Sequence, residues 1–300
     1  MLYIAWDEAY IHPLPDGHRF PMLKYQLLPE QLMHEGTISP SHLFCPSEIS
    51  DNDILYAHKV DYLDKLNFGT LTSSEIRRIG FPFSSQLLHR EKKIMQGTVD
   101  AAMYALQFGI GMNIAGGTHH AFSSKGEGFC LLNDMAIASR ILLSKGIASK
   151  VLIIDLDVHQ GNGTAQIFSD DNRVFTFSMH AKHNYPFHKV CSDMDVELCD
   201  GTNDDIYLSI LQCRLELLME KVQPDFVFYQ SGVDIISSDV LGKLNVSIEG
   251  CKMRDKMVLS SCKQHQIPVC VSMGGGYSRN IRDIVEAHAN TFRLAQDIFF

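Results

Sequence analysis

The chain reads as an α/β protein: a single domain over residues 1–300, with a mostly parallel central sheet flanked by helices and an active site at the C-terminal strand ends. Three observations predict this. Short apolar runs alternate with helical stretches, the pattern of a parallel sheet. The run Val151-Leu152-Ile153-Ile154 is apolar throughout rather than alternating, as in a strand covered on both faces. That run then passes directly into Asp155-Leu156-Asp157-Val158-His159-Gln160-Gly161-Asn162-Gly163, which delivers metal-ligand chemistry to the rim of a sheet, where such folds keep their sites.

In order along the chain, the expected strands are Leu2 to Trp6, Met112 to Ala115, Val151 to Leu156, Val174 to Met179, Phe226 to Tyr229 and Ile267 to Ser272. Leu88, Met95, Val99, Ala102 and Leu106 share one stripe of a helix that Gly109 would end. Thr202 with Asp205 three residues later resembles a capping box, opening a helix through Ile206, Ile210 and Leu218. Both stripes read as sheet-packing faces. The loop-rich stretches His12 to Pro21 and Ala181 to Gly201 are candidates for a substrate rim, because binding residues sit on loops held by a rigid scaffold.

Composition narrows the function classes. With 45% hydrophobic and 20% charged residues, 300 residues bury a large core. A formal charge of -9 argues against a nucleic-acid surface, which needs clustered Lys and Arg, but tolerates a basic peptide partner. The eight cysteines form no C-x-x-C pair, which suits reduced thiols and a cytoplasmic setting. The N-terminus Met1-Leu2-Tyr3-Ile4-Ala5-Trp6-Asp7-Glu8 lacks a basic n-region and is not expected to be a signal peptide. No apolar run is long enough to span a bilayer.

The chemistry concentrates at four strand ends. Residues 155, 157 and 159 are spaced by two, so an extended chain projects them to one face. A lone D-x-D is more simply a helix cap or a loop tie; the added His and the glycines at 161 and 163 favour a ligand site. A second strand end, Phe226 to Asp234, also runs from apolar residues into a carboxylate. Asp157, His159 and Asp234 together make a two-carboxylate, one-imidazole set that leaves a tetrahedral divalent metal an open, catalytic position. A third gives Gly116-Gly117-Thr118-His119-His120, whose histidines suit metal ligands, an acid/base pair or plain loop residues. The fourth, Ser272-Met273-Gly274-Gly275-Gly276-Tyr277, lets backbone approach a ligand closely and presents a phenol, and it lacks the Lys-Ser/Thr of a P-loop.

Taken together, G-G-x-H-H-A, G-F-C-x-x-N-D (Gly128 to Asp134), D-x-D-x-H-x-G-x-G, Q-x-G-x-D (Gln230 to Asp234) and G-G-G-Y resemble the zinc-dependent histone deacetylase family of the arginase/deacetylase superfamily. Order and spacing agree from about residue 12 to the end. Asn162, where class I members carry Asp, and the segments Gly232 to Ile235 and Leu241 to Leu244 look closest to the class IV branch; His18 to Tyr25 is similar to compact bacterial relatives.

The resemblance implies one Zn2+ per chain on Asp157, His159 and Asp234, with His120 as general base and then acid, oriented by Asn162. It implies a second histidine, His119, paired with Asp155, and Tyr277 as the phenol that hydrogen-bonds the substrate carbonyl. Gly128, Phe129, Leu241, Gly275 and Gly276 would line the substrate tunnel, with either Tyr185 or Phe187 as its second aromatic. Asp155, Asp157, His159, Ser178 and Met179 would hold a monovalent cation such as K+, largely through backbone oxygens. The implied activity is hydrolysis of acyl groups from lysine side chains of proteins or peptides, with a long-chain preference implied by the class IV branch. The expected location is cytoplasmic, with a nuclear one as the alternative in a eukaryote.

Rival readings make different demands. A dimetal arginase-type site needs carboxylates where this chain has Gly161 and Ile236. An acetylpolyamine deacetylase would place acids at the tunnel mouth, where Leu241 stands. An inactive acyl-lysine-binding protein would have lost Tyr277, His120 or a ligand, and all are present.

Overall fold

The computed structural model describes residues 1–300. Eight strands make one sheet: β1 (Tyr3–Ala5), β2 (Leu43–Phe44), β3 (Ile110–Asn113), β4 (Val151–Asp155), β5 (Val174–Ala181), β6 (Met194–Leu198), β7 (Phe226–Gln230) and β8 (Val269–Ser272). Their order is β2-β1-β3-β8-β7-β4-β5-β6, and every neighbouring pair is parallel. Ten helices connect and cover them: α1 (Lys24–His34), α2 (Asp51–Ile54), α3 (Val60–Asn67), α4 (Ser73–Ile79), α5 (Ser85–Phe108), α6 (Asp134–Ser144), α7 (Asn162–Phe168), α8 (Asp204–Val222), α9 (Ile248–Gln264) and α10 (Ile281–Phe299).

The expected parallel α/β sheet is therefore present. Strands β3, β4, β7 and β8 are buried at every residue, which is why they read as unbroken apolar runs. One core cluster of 83 buried residues runs through the whole structure. No helix is long and apolar enough to cross a membrane, and all eight cysteines are free thiols.

Two strands carried no signal in the sequence reading. β2 has only two residues, and β6 lies inside the stretch expected to be loop. β6 alternates Asp195 and Glu197 with less exposed apolar residues, so charge protects the free edge of the sheet.

The third strand also begins earlier than expected, at Ile110. Its Gly111 permits this: a Cβ there would lie 2.0 Å from the Ala101 carbonyl of α5, so only glycine lets that helix approach.

The helix stripes need correction. α5 starts on Ser84, whose hydroxyl accepts from the Leu87 N–H at 3.0 Å, and stops at Gly109 with φ +86, as expected. Leu88, Met95, Val99 and Ala102 are buried, but Leu106 faces outward. α8 is capped by Asn203, not Thr202: the Asn203 side chain accepts from the Ile206 N–H, while the Thr202 hydroxyl donates to the Cys199 carbonyl at 2.7 Å. A cap must be the extended residue immediately before the first turn, and that residue is Asn203. The buried face of α8 accordingly runs through Tyr207, Leu211, Leu215 and Leu218, leaving Ile206 exposed.

Candidate active site

Because β3, β8, β7 and β4 are consecutive in the sheet, the four chemistry-bearing strand ends emerge side by side at one rim. Asp157, His159 and Asp234 are buried, and ligand atoms from all three lie within 4.8 Å of one another. His159 Nδ1 is 3.0 Å from both Asp157 Oδ1 and Asp234 Oδ2.

Backbone amides hold the two carboxylates. Gly275 N–H donates to Asp157 Oδ2 at 2.8 Å and Val158 N–H to Asp234 Oδ1 at 2.8 Å. A Cβ on Gly275 would sit 2.1 Å from Asp234 Oδ2, so the glycine is what allows the loop to close over the acids.

The donor chemistry fits a divalent cation. Burial raises Asp234 to about 7, and the charge of Asp157 beside it adds to that. Burial alone would depress His159, yet its bonds to Asp157 and Asp234 bring it up to about 10. Two buried acids and an imidazole that compete for protons are satisfied together by one cation with oxygen and nitrogen ligands.

His119 and His120 line the same cavity and have different partners. His119 Nδ1 lies 2.7 Å from Asp155 Oδ2. Burial works against a charge on it, but Asp155 and Asp157 raise its pKa overall. His120 Nδ1 lies 2.7 Å from Asn162 Oδ1. That oxygen also accepts from Gly163 N–H at 3.0 Å, while Asn162 Nδ2 donates to Glu127 Oε1 at 2.9 Å. The amide can face only one way, so His120 Nδ1 carries the proton and Nε2 is the free base. Burial, then the neighbouring His119 and His159, hold the His120 pKa well below 6.5.

Tyr277 stands across the site, its ring 6.2 Å from that of His159. Burial keeps its phenol protonated far above pH 10.

The tunnel wall also comes together. Gly128 and Phe129 donate N–H groups to Arg78 and Ile79 carbonyls at 3.1 and 2.7 Å. Phe129 adopts φ 67 to do so, with its ring packed against Gly80, where a Cβ would be 2.9 Å from it. A Cβ on Gly128 would lie 2.6 Å from the His120 ring, so the site leaves no room there.

Of the two candidate aromatics, Tyr185 is the one at the wall, 4.9 Å from the His120 ring with its hydroxyl donating to Glu127 Oε1 at 2.7 Å. Phe187 is 85% exposed and lies at the outer edge. Leu241 and Gly276 line the opening and the β8 turn respectively; a Cβ on Gly276 would meet Val233 at 2.6 Å. The residues expected to hold a monovalent cation, Asp155, Asp157, His159, Ser178 and Met179, are all buried, and Asp155, the last residue of β4, is the register partner of Ser178 within β5.

Several supporting residues escaped the sequence reading. Asp134, at the start of α6, accepts from Thr98 Oγ1, Gly117 N, Thr118 N, Thr118 Oγ1 and Ser272 Oγ, joining the β3 and β8 turns. Asp239 accepts from the N–H groups of Leu241, Gly242 and Tyr277, which sets the phenol against the opening. The fully buried Arg254 donates to the Leu156 and Gly232 carbonyls and so fixes the two ligand loops to each other. Glu127 holds Asn162 and Tyr185 together. Only Asp134 had a signal, as the last residue of a motif already noted; the others become visible only through contacts between distant segments.

Comparison with known proteins agrees with this arrangement. The family model described as "Histone deacetylase domain" matches residues 18–292. An uncharacterized protein of Picosynechococcus sp. is 45% identical over 99% of both chains. Histone deacetylase 2 of Arabidopsis thaliana is 32% identical over 89% of this chain and 72% of its own. The acetoin utilization protein AcuC of Staphylococcus aureus (strain MSSA476) is 27% identical over 97% and 80%. The crystal structure of an HDAC homolog from Aquifex aeolicus superposes with a TM-score of 0.83 over 97% of this chain and 82% of that one, at 24% identity. The arginase/deacetylase-like fold, the rim site and the matched domain make this chain a member of the histone deacetylase family.

Proposed function

We propose that this chain is a zinc-dependent amidohydrolase that removes acyl groups from lysine side chains of proteins or peptides. The observation that carries the reading is the buried Asp157–His159–Asp234 cluster with the His120–Asn162 pair and the Tyr277 phenol turned toward the same space. Zinc held by those three residues supplies a Lewis acid that acidifies water and polarises a carbonyl.

The protein supplies the rest. His120 Nε2 removes the proton from the attacking water and later gives it to the leaving lysine amine. Its Nδ1 proton stays on the Asn162 bond throughout. The Tyr277 hydroxyl donates to the developing oxyanion. His119, held by its bond to Asp155, packs against the His120 ring and fixes its position.

A cavity of about 40 Å³ lies beside the ligands, lined by Phe20, Tyr25, Phe81, Ile94 and Phe129 among others. That is room for roughly three waters, which favours acetyl over the long-chain acyl group implied by the class IV resemblance. We further propose a class IV affiliation, on Asn162 and the Gly232–Leu244 segment, K+ as a monovalent cation and a cytoplasmic setting. The deciding experiment is hydrolysis of matched acetyl- and myristoyl-lysine peptides by protein loaded with Zn2+ and by protein stripped with a chelator. Turnover by the stripped protein, or none by the loaded one, would overturn the reading.

A further inference from the structure

The opening above the site is a cavity of about 430 Å³ whose lining includes Arg19, Arg77, Arg78, His183 and Lys243 and no Asp or Glu. The collar is thus opposite in sign to a chain of formal charge -9. Its members come from separate segments: Arg19 from the N-terminal loop, Arg77 and Arg78 from the last turn of α4, His183 and Lys243 from loops across the opening.

The two sides are not equivalent. On one, Asp200 balances the charge, 3.2 Å from His183 Nδ1 and 3.7 Å from Lys243 Nζ. On the other, Arg19, Arg77 and Arg78 are exposed and enter none of the chain's ion pairs. Arg19 lies instead over the face of Phe129, 6.0 Å from its centroid, on the tunnel wall itself. A helix C-terminus favours cations, which accounts for Arg77 and Arg78 as a solvated helix end. It does not account for Arg19, nor for three guanidinium groups meeting at one opening without a carboxylate.

We propose that Arg19, Arg77 and Arg78 select substrates in which the acylated lysine has Asp or Glu neighbours, so that the ligand class of this opening is an acidic acyl-lysine peptide. The inference rests on the deacylase reading and names its substrate class. An acyl-lysine that enters the tunnel leaves its flanking residues at the collar, where guanidinium groups pair carboxylates in forked geometry. The same charges repel polycations, so acetylated polyamines and lysine-rich segments are disfavoured even though the overall charge would tolerate them.

The test compares kcat/KM of the metal-loaded full chain on acetyl-lysine peptides matched except for acidic, neutral or basic flanks. Fluorescein-labelled copies of the same peptides give Kd by anisotropy. The acidic peptide is expected to exceed the basic one about tenfold, mainly through KM, with the ratio shrinking at high salt as screening shortens. The Arg77→Glu/Arg78→Glu double variant is expected to bring that ratio below one. Equal constants for the three peptides, a basic preference, or a ratio the double variant leaves unchanged would overturn the inference while leaving the deacylase reading in place. Hydrolysis of none of the peptides, the neutral one included, would reject the deacylase reading instead, and the Kd series would then decide the collar alone, equal values overturning it.

Discussion

Asn162 stands between His120 and Glu127: its amide oxygen meets His120 Nδ1 at 2.7 Å and its amide nitrogen meets Glu127 Oε1 at 2.9 Å. Burial works against the Glu127 charge, but bonds from Tyr185, Lys125 and Asn162 hold its pKa below the ordinary glutamate value, so it is an anion at neutral pH. His120, the proposed general base, is therefore oriented by a carboxylate it never touches, and the same carboxylate holds Tyr185.

From this geometry follows a graded series of variants. His120→Ala is expected to lower kcat by about a hundredfold or more, the usual weight of a general acid–base group. Asn162→Ala and Glu127→Leu should lower it by about tenfold, because they loosen an orienting bond rather than remove the base. Steady-state kinetics with folding checked by circular dichroism measures this; an Asn162→Ala enzyme with parental kcat would break the chain of orientation.

Tyr277→Phe keeps the ring that packs near Phe129 and Phe20 and loses only the hydroxyl. Turnover should drop about a hundredfold or more with metal content unchanged, since one oxyanion donor is typically worth that much. Unchanged turnover would take the phenol out of the mechanism. His119→Ala is expected to cost less than His120→Ala.

Metal content and stability should move together at the ligand cluster. Asp234→Ala is expected to purify without stoichiometric zinc and without activity. In the parent, zinc at a hundred times its Kd should add about 2.7 kcal/mol of stability by mass action, an increment the variant lacks. Thermal melts with and without chelator, beside elemental analysis, check both; a variant that retained full metal would remove Asp234 from the ligand set.

Stability is also expected to fall in mild acid, with His58 as one source. Its Nε2 accepts from the Asn133 N–H at 2.9 Å under the β3 turn, and burial holds its pKa to about 4. The unfolded chain binds that proton below pH 6.5 and the native chain does not, so stability is present above 6.5, declines as pH falls, and levels off near 4. The full interval is worth about 3 kcal/mol. Urea unfolding at pH 7.5 and 5.0 measures the loss, which His58→Gln should reduce; equal losses in both proteins would clear His58.

The sequence by itself determined the fold class, the places of the inner strands along the chain and the identity of the ligand candidates. It could do so because parallel strands buried on both faces are continuously apolar, and the residues that follow them fall at the rim whatever the loops do. Asp157 and His159 are two apart and needed only an extended backbone to share a face. What tertiary structure decided is everything that joins segments far apart in the chain. Asp234 reaches His159 across 75 positions because β7 lies beside β4. Glu127 meets Tyr185, and Arg254 spans two ligand loops, by packing that no local pattern records. The choice of Tyr185 over Phe187, the shift of the α8 cap to Asn203, and the arginine collar belong to the same class. Local spacing fixes which way a side chain points along its own strand or helix, whereas its partner is set by which elements the core brings together.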